Sequence, residues 1–226
     1  MTQEIKQLEN LEFLIRYPKG YEEGKRYPVI LMLHGAGGRG GQIEMVIKDN
    51  PYFKITEEKH PDLPFITVAP HCTLNNWFDH FETLRKLVRW VYENPFTDKD
   101  RIYGMGVSMG GYGIWQLAMS MPKFFAAIVP ICGGGMYWNA ARLVNVPVWA
   151  HHGALDKAVL PEESVKMVEA VKKHGGDARL TVYPEVAHNS WIPAYEDPQV
   201  FEWLLSHTNR NSKELKDAYV GQEMFG

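Results

Sequence analysis

The sequence predicts an α/β fold, with a mostly parallel central sheet flanked by helices on both faces. Three observations lead there. Short apolar runs rich in β-branched residues recur along the chain. Gly, Pro or Asp bounds them. Longer stretches with helical spacing separate them.

In chain order, Phe13–Tyr17 and Val29–Leu33 read as strands, followed by Phe65–Ala69. Phe81–Glu93 places Leu84, Leu87, Val88 and Val91 at helical spacing. Ile102–Gly106 is the next strand, and the helix over Ser108–Met121 is apolar on most sides and stops at Pro122. Phe125–Ile131 and Val146–His151 are strands again. Pro161–His174 opens with Pro and two Glu and ends at Gly175-Gly176, as helix ends prefer. Leu180–Tyr183 is the last strand and Pro198–His207 the last helix. No repeat or linker divides residues 1–226, which read as one domain, with a polar, weakly periodic tail over 208–226.

Hydrophobic residues make up 45% of the 226 and charged residues 23%, ordinary for a globular domain with a full core. The formal net charge is −3 and no basic cluster is present, so nucleic acid and anionic membranes are not expected partners. The N-terminus lacks the pattern of a signal peptide, and no segment is long and apolar enough to span a membrane. Two cysteines, Cys72 and Cys132, without a secretion signal fit a cytoplasmic protein. The sequence gives no oligomeric state.

The sharpest local signal is Gly106-Val-Ser-Met-Gly110, a G-x-S-x-G pattern. Average Gly and Ser usage would produce it in roughly one protein in ten or twenty of this length. Context therefore decides between a nucleophile and an idle serine in a glycine-rich turn. An apolar strand precedes it and an apolar helix follows, so Ser108 sits on a tight strand-to-helix turn. That turn lifts the hydroxyl off the sheet at a helix N-terminus, where N–H groups favour developing negative charge.

A serine hydroxyl needs a base. Of the histidines after Ser108, His174 and His207 fall at helix ends, and His151 and His152 end a strand. His188 lies in a loop after the last strand and is the expected base. Asp156, just past the C-terminal end of a strand, is the expected acid on its Nδ1–H. Asp177 falls at the wrong end of the next strand, and Glu185 is a substitute. Leu31-Met-Leu-His-Gly-Ala-Gly-Gly-Arg39 offers backbone N–H groups for an oxyanion hole. Its donors are assigned to Ala36 and Met109, with Gly37 as the replacement for Ala36. The loop has neither phosphate-loop spacing, and the His and Cys positions show no metal-ligand spacing. No cofactor is expected.

Together with Ile128-Val-Pro-Ile-Cys-Gly-Gly134, Pro147-Val-Trp-Ala-His-His-Gly153 and Ala187-His-Asn-Ser-Trp191, these motifs resemble the α/β-hydrolase superfamily over roughly Phe13 to His207. More narrowly they resemble small bacterial carboxylesterases, the feruloyl-esterase-like group often labelled "predicted peptidase". The resemblance implies a Ser108–His188–Asp156 triad and cofactor-free ester hydrolysis. A small-molecule ester of a short or aryl-linked acyl group is the implied substrate. Peptidase, thioesterase and non-catalytic binding protein are the alternatives. Gly133–Asn145, where many relatives insert a lid, is too short for a lipase lid. Met136, Tyr137 and Trp138 there, with His71, Trp77 and Trp191, are candidates to wall a pocket; alternatively, the first three cover the sheet edge.

Overall fold

The computed structural model describes residues 2–211. Eight strands form one sheet: β1 Gln3–Leu8, β2 Leu11–Arg16, β3 Tyr27–Leu33, β4 Ile66–Pro70, β5 Thr97–Val107, β6 Ala127–Ile131, β7 Val148–Gly153 and β8 Ala178–Tyr183. Their order across the sheet is β1-β2-β4-β3-β5-β6-β7-β8. β1 and β2 pair antiparallel to their neighbours and the rest are parallel. The helices are α1 Ile43–Asp49, α2 Pro51–Lys59, α3 Phe81–Glu93, α4 Met109–Ser120, α5 Glu162–Lys173, α6 Trp191–Glu196 and α7 Pro198–Leu205.

The continuous apolar strands feed two cores at once. Val29, Leu31 and Leu33 point to the face covered by Leu84 and Leu87 of α3, Ile114 and Trp115 of α4, and Met167 and Val171 of α5. Ile30 and Met32 point to the other face, against Tyr52 and Phe53 of α2, Tyr195 of α6 and Phe201 of α7. The seven expected strands and four expected helices all form, with ends moved by a few residues.

Sequence pattern missed β1, α1, α2 and α6. β1 is an edge strand with little buried surface, so it carries no apolar run. α2 does carry a start signal: Asn50 caps it by accepting from Tyr52 N–H at 3.0 Å, and Pro51 fills its first position. The start of the polar tail docks on the domain: Asn209 N–H donates to the Asp100 carbonyl at 2.8 Å, and Asn211 meets Asn145 at 3.3 Å. Residues 212–226 lie outside the described residues. Among the described residues no helix is long and apolar enough to cross a membrane.

Candidate active site

β5 ends at Val107, and Ser108 turns the chain into α4 with φ 53° and ψ −118°. A side chain at positive φ is strained by about 1–2 kcal/mol, and the surroundings must fix it. They do: Ser108 N–H donates to the Ile131 carbonyl at 2.9 Å, and Tyr112 N–H donates to the Ser108 carbonyl at 3.1 Å. Gly110 lets the start of α4 lie against β3, because a Cβ there would sit 2.1 Å from the Leu33 carbonyl oxygen.

The loop after β8 brings His188 over this turn. Its Nε2 lies 2.9 Å from Ser108 Oγ and its Nδ1 lies 2.7 Å from Asp156 Oδ2. Asp156 is buried at the end of β7, and its Oδ1 accepts from the N–H groups of Ala158 (2.9 Å) and Val159 (3.0 Å). Burial opposes ionisation of this carboxyl. The hydrogen bonds from His188, Val159 and Ala158 outweigh it and hold the pKa below the usual value. His188 Nδ1–H therefore faces a charged acceptor, which leaves Nε2 as the nitrogen turned to the hydroxyl. Asp177 pairs instead with Arg210 at 3.6 Å, and Glu185 is exposed. His174 closes α5, and His207 Nδ1 bonds the Trp203 carbonyl at 2.7 Å.

The glycine loop after β3 faces the same turn. A Cβ on Gly35 would lie 3.5 Å from Ser108 Cβ. Ala36–Gly38 forms one 3-10 turn, so the N–H groups of Ala36 and Gly37 have no partner within it. Met109 is the first residue of α4, and its N–H is likewise free of the helix ladder. Buried side chains hold this loop from beneath. His34 Nδ1–H donates to the Gly35 carbonyl at 2.8 Å, while Nε2 accepts from Cys72 N–H at 3.0 Å. Trp77 Nε1–H donates to the His34 carbonyl at 2.9 Å, and His71 Nε2–H to the Gly40 carbonyl at 2.8 Å.

Two expected pocket residues are thereby corrected. His71 and Trp77 are fully buried supports of the loop rather than cavity walls, because their ring N–H groups are turned to loop carbonyls. Tyr137 and Trp138 also miss the cavity. They form an exposed edge-to-face pair 5.3 Å apart on a 3-10 segment, Tyr137–Leu143, while Met136 packs on the core. Trp191 does line the cavity, edge-on to His188 at 5.5 Å. The cavity holds about 640 Å³ between the glycine loop, Ser108, His188 and Trp191. Arg39, Asn50 and Pro51 complete its wall. Sequence reading passed over them. The Asn-Pro start of α2 was the available signal for the last two.

Among the described residues, Cys132, Asp156 and His188 bring potential ligand atoms within 4.8 Å of one another, a grouping that linear spacing does not reveal. Their donors are engaged otherwise: burial pushes the Cys132 thiol pKa up to about 12, and both Asp156 oxygens already accept hydrogen bonds.

The dienelactone hydrolase family model matches residues 75–210, more than half of the chain. The chain belongs to the dienelactone hydrolase family. Its sheet is that of the α/β-hydrolase fold. A solved thermostable esterase superposes with a TM-score of 0.76 at 29% identity, over 92% of this chain and 63% of that one. Probable feruloyl esterase C of Aspergillus terreus is 23% identical over 78% of this chain and 66% of its own length. Dipeptidyl-peptidase 5 of Porphyromonas gingivalis is 23% identical over 77% of this chain. The chain spans about a third of the length of that relative (32%).

Two buried histidines, His34 beneath the glycine loop and His151 on β7, make stability depend on pH. Burial lowers the pKa of His34 to about 4 and of His151 to about 3, so the native state holds both neutral. The unfolded chain protonates them near 6.5. Below that pH the unfolded state binds more protons, and stability falls until the native values are reached. Urea midpoints are expected to drop steadily from pH 6.5 to pH 4, with about 3 kcal/mol from His34 alone. His34→Asn, whose amide can still donate to Gly35, should flatten that slope; an unchanged slope would clear His34 of the role.

Proposed function

We propose that this chain is a serine carboxylesterase acting on short-chain or aryl-linked esters through an acyl-enzyme. The observation that carries the reading is His188 bridging Ser108 and Asp156 at the edge of the cavity. In the proposed reaction His188 Nε2 takes the Ser108 proton as Oγ bonds to the ester carbonyl carbon. The carbonyl oxygen becomes an oxyanion, met by the N–H groups of Ala36 and Met109, with Gly37 adjoining. Collapse breaks the bond to the alcohol oxygen, which leaves with the proton from His188. Water, deprotonated by the same imidazole, then releases the acid and regenerates the hydroxyl. Every proton is moved by the chain's own residues.

A flat wall at Trp191 and the short Gly133–Asn145 segment support small or aryl acyl groups over long alkyl chains. The relatives named as esterases support ester over amide. The dipeptidyl-peptidase relatives support the second reading, a peptidase using the same three side chains. Aryl esters from acetate to palmitate, assayed below their critical micelle concentrations, separate these from a lipase. A long acyl tunnel would add about 0.8 kcal/mol of binding per methylene. Here kcat/KM is expected to rise to about butyrate and then fall. A continuous rise to palmitate would point to a lipase, and faster cleavage of dipeptidyl anilides than of esters would point to a peptidase.

A further inference from the structure

His152 lies on β7, four residues before Asp156, and is fully buried. Ester hydrolysis as described makes no use of it. Its Nε2 lies 2.9 Å from the Val159 carbonyl, which only accepts, so this nitrogen carries a proton. The same Nε2 lies 3.3 Å from Asp156 Oδ2, the oxygen that accepts from His188. On the far side, Nδ1 lies 2.7 Å from Ser164 Oγ, whose hydroxyl also reaches the Gly133 carbonyl at 2.9 Å. With the Ser164 proton on Gly133, Nδ1 donates too and the ring is an imidazolium. With that proton turned to Nδ1, the ring is neutral. In both states Nε2 keeps its proton, which is given to the Val159 carbonyl, and lies beside Asp156 Oδ2.

We propose that His152 is a positioning residue that sets how strongly Asp156 holds the proton of His188. A donor or cation beside Oδ2 takes up part of the carboxylate's field, so Asp156 stabilises a protonated His188 less. The base then stays neutral to lower pH. Loss of the protonated Nε2 beside Oδ2 is therefore expected to move the acid limb of the kcat/KM profile upward. The other groups around Asp156 are His188 from the loop after β8, Cys132 from the end of β6 and Tyr112 from α4, with Glu163 of α5 acting on Tyr112. Burial raises the pKa of both Cys132 and Tyr112, which keeps them neutral through the assay range.

The inference rests on His188 being the base, and the test has two arms. The first compares His152→Gln with His152→Asn. The Gln amide can stand where Nε2 stands; the shorter Asn amide reaches only the Nδ1 side, toward Ser164. The Asn variant is expected to shift the acid limb up by about half a pH unit or more, and the Gln variant to restore it. A purely structural role would weaken both alike and leave the limb in place, which would overturn the proposal. The second arm needs no variant and no turnover. In the wild-type protein, ring nitrogen NMR should find His152 Nε2 protonated, and its signals should move at the midpoint where His188 titrates. An unprotonated Nε2, or signals indifferent to His188, would overturn the proposal whatever the variants do. Retention of turnover by Ser108→Ala would instead strike the esterase reading and leave the nitrogen assignments standing.

Discussion

Ser108→Ala is expected to leave the melting temperature nearly unchanged and to lower turnover by roughly 10⁶-fold, the loss seen when comparable serine triads lose their nucleophile. The fold should survive because, among the described residues, the hydroxyl has one partner, His188 Nε2 at 2.9 Å, and supports no element. The positive φ at 108 persists in the variant, since the backbone bonds to Ile131 and from Tyr112 remain. The chemistry should not survive, because Ala offers no atom to form the acyl bond. A fluorophosphonate should label the wild type at Ser108 and leave the variant unlabelled. Residual turnover within tenfold of wild type would remove Ser108 from the mechanism. The same assay checks the base: His188→Ala should lose activity on a similar scale, while His174→Ala and His207→Ala should lose almost none. His174 and His207 are spent on helix ends, whereas His188 spans Ser108 and Asp156.

Much of this site is legible in sequence because the fold hangs its parts on chain-ordered ends of strands. Ser108 follows β5, Asp156 follows β7 and His188 follows β8. Each end is marked by a local composition change, so the order Ser, Asp, His with suitable spacing is enough to nominate three residues spread over 80 positions. The cavity wall is not legible in the same way. It depends on which loops cross one another at the sheet edge, a property of packing rather than of local pattern. Trp77 and His71 have the composition of pocket residues, yet their ring N–H groups are drawn under the glycine loop to satisfy its carbonyls. Tyr137 and Trp138 have the same composition and are turned out to solvent. Asn50 and Pro51 signal only a helix start in sequence, yet they form one wall of the cavity. β1 escaped detection because an edge strand can remain polar.

Gly110→Ala is expected to cost the fold about 3 kcal/mol or more, lowering the melting temperature by about 10 °C, and to abolish most activity. Composition alone would rate this the mildest of changes, since Ala favours the helix that Gly110 occupies. Packing reverses the sign. A Cβ at 110 would lie 2.1 Å from the Leu33 oxygen, 2.6 Å from the Leu33 carbon and 2.8 Å from the His34 oxygen. These are backbone atoms of the strand end and the loop that follows it, so no side-chain rotation relieves the clash. Either α4 lifts off the sheet, carrying Ser108 with it, or the glycine loop moves away from Ser108. Both routes separate the hydroxyl from the N–H groups of Ala36 and Gly37, so activity should fall further than stability does. Gly37→Ala is the matched control. A Cβ there meets nothing within 4 Å, so its melting temperature should stay within about 1 °C of wild type. Equal melting temperatures for the two variants would mean that α4 does not pack on β3 as closely as this contact requires.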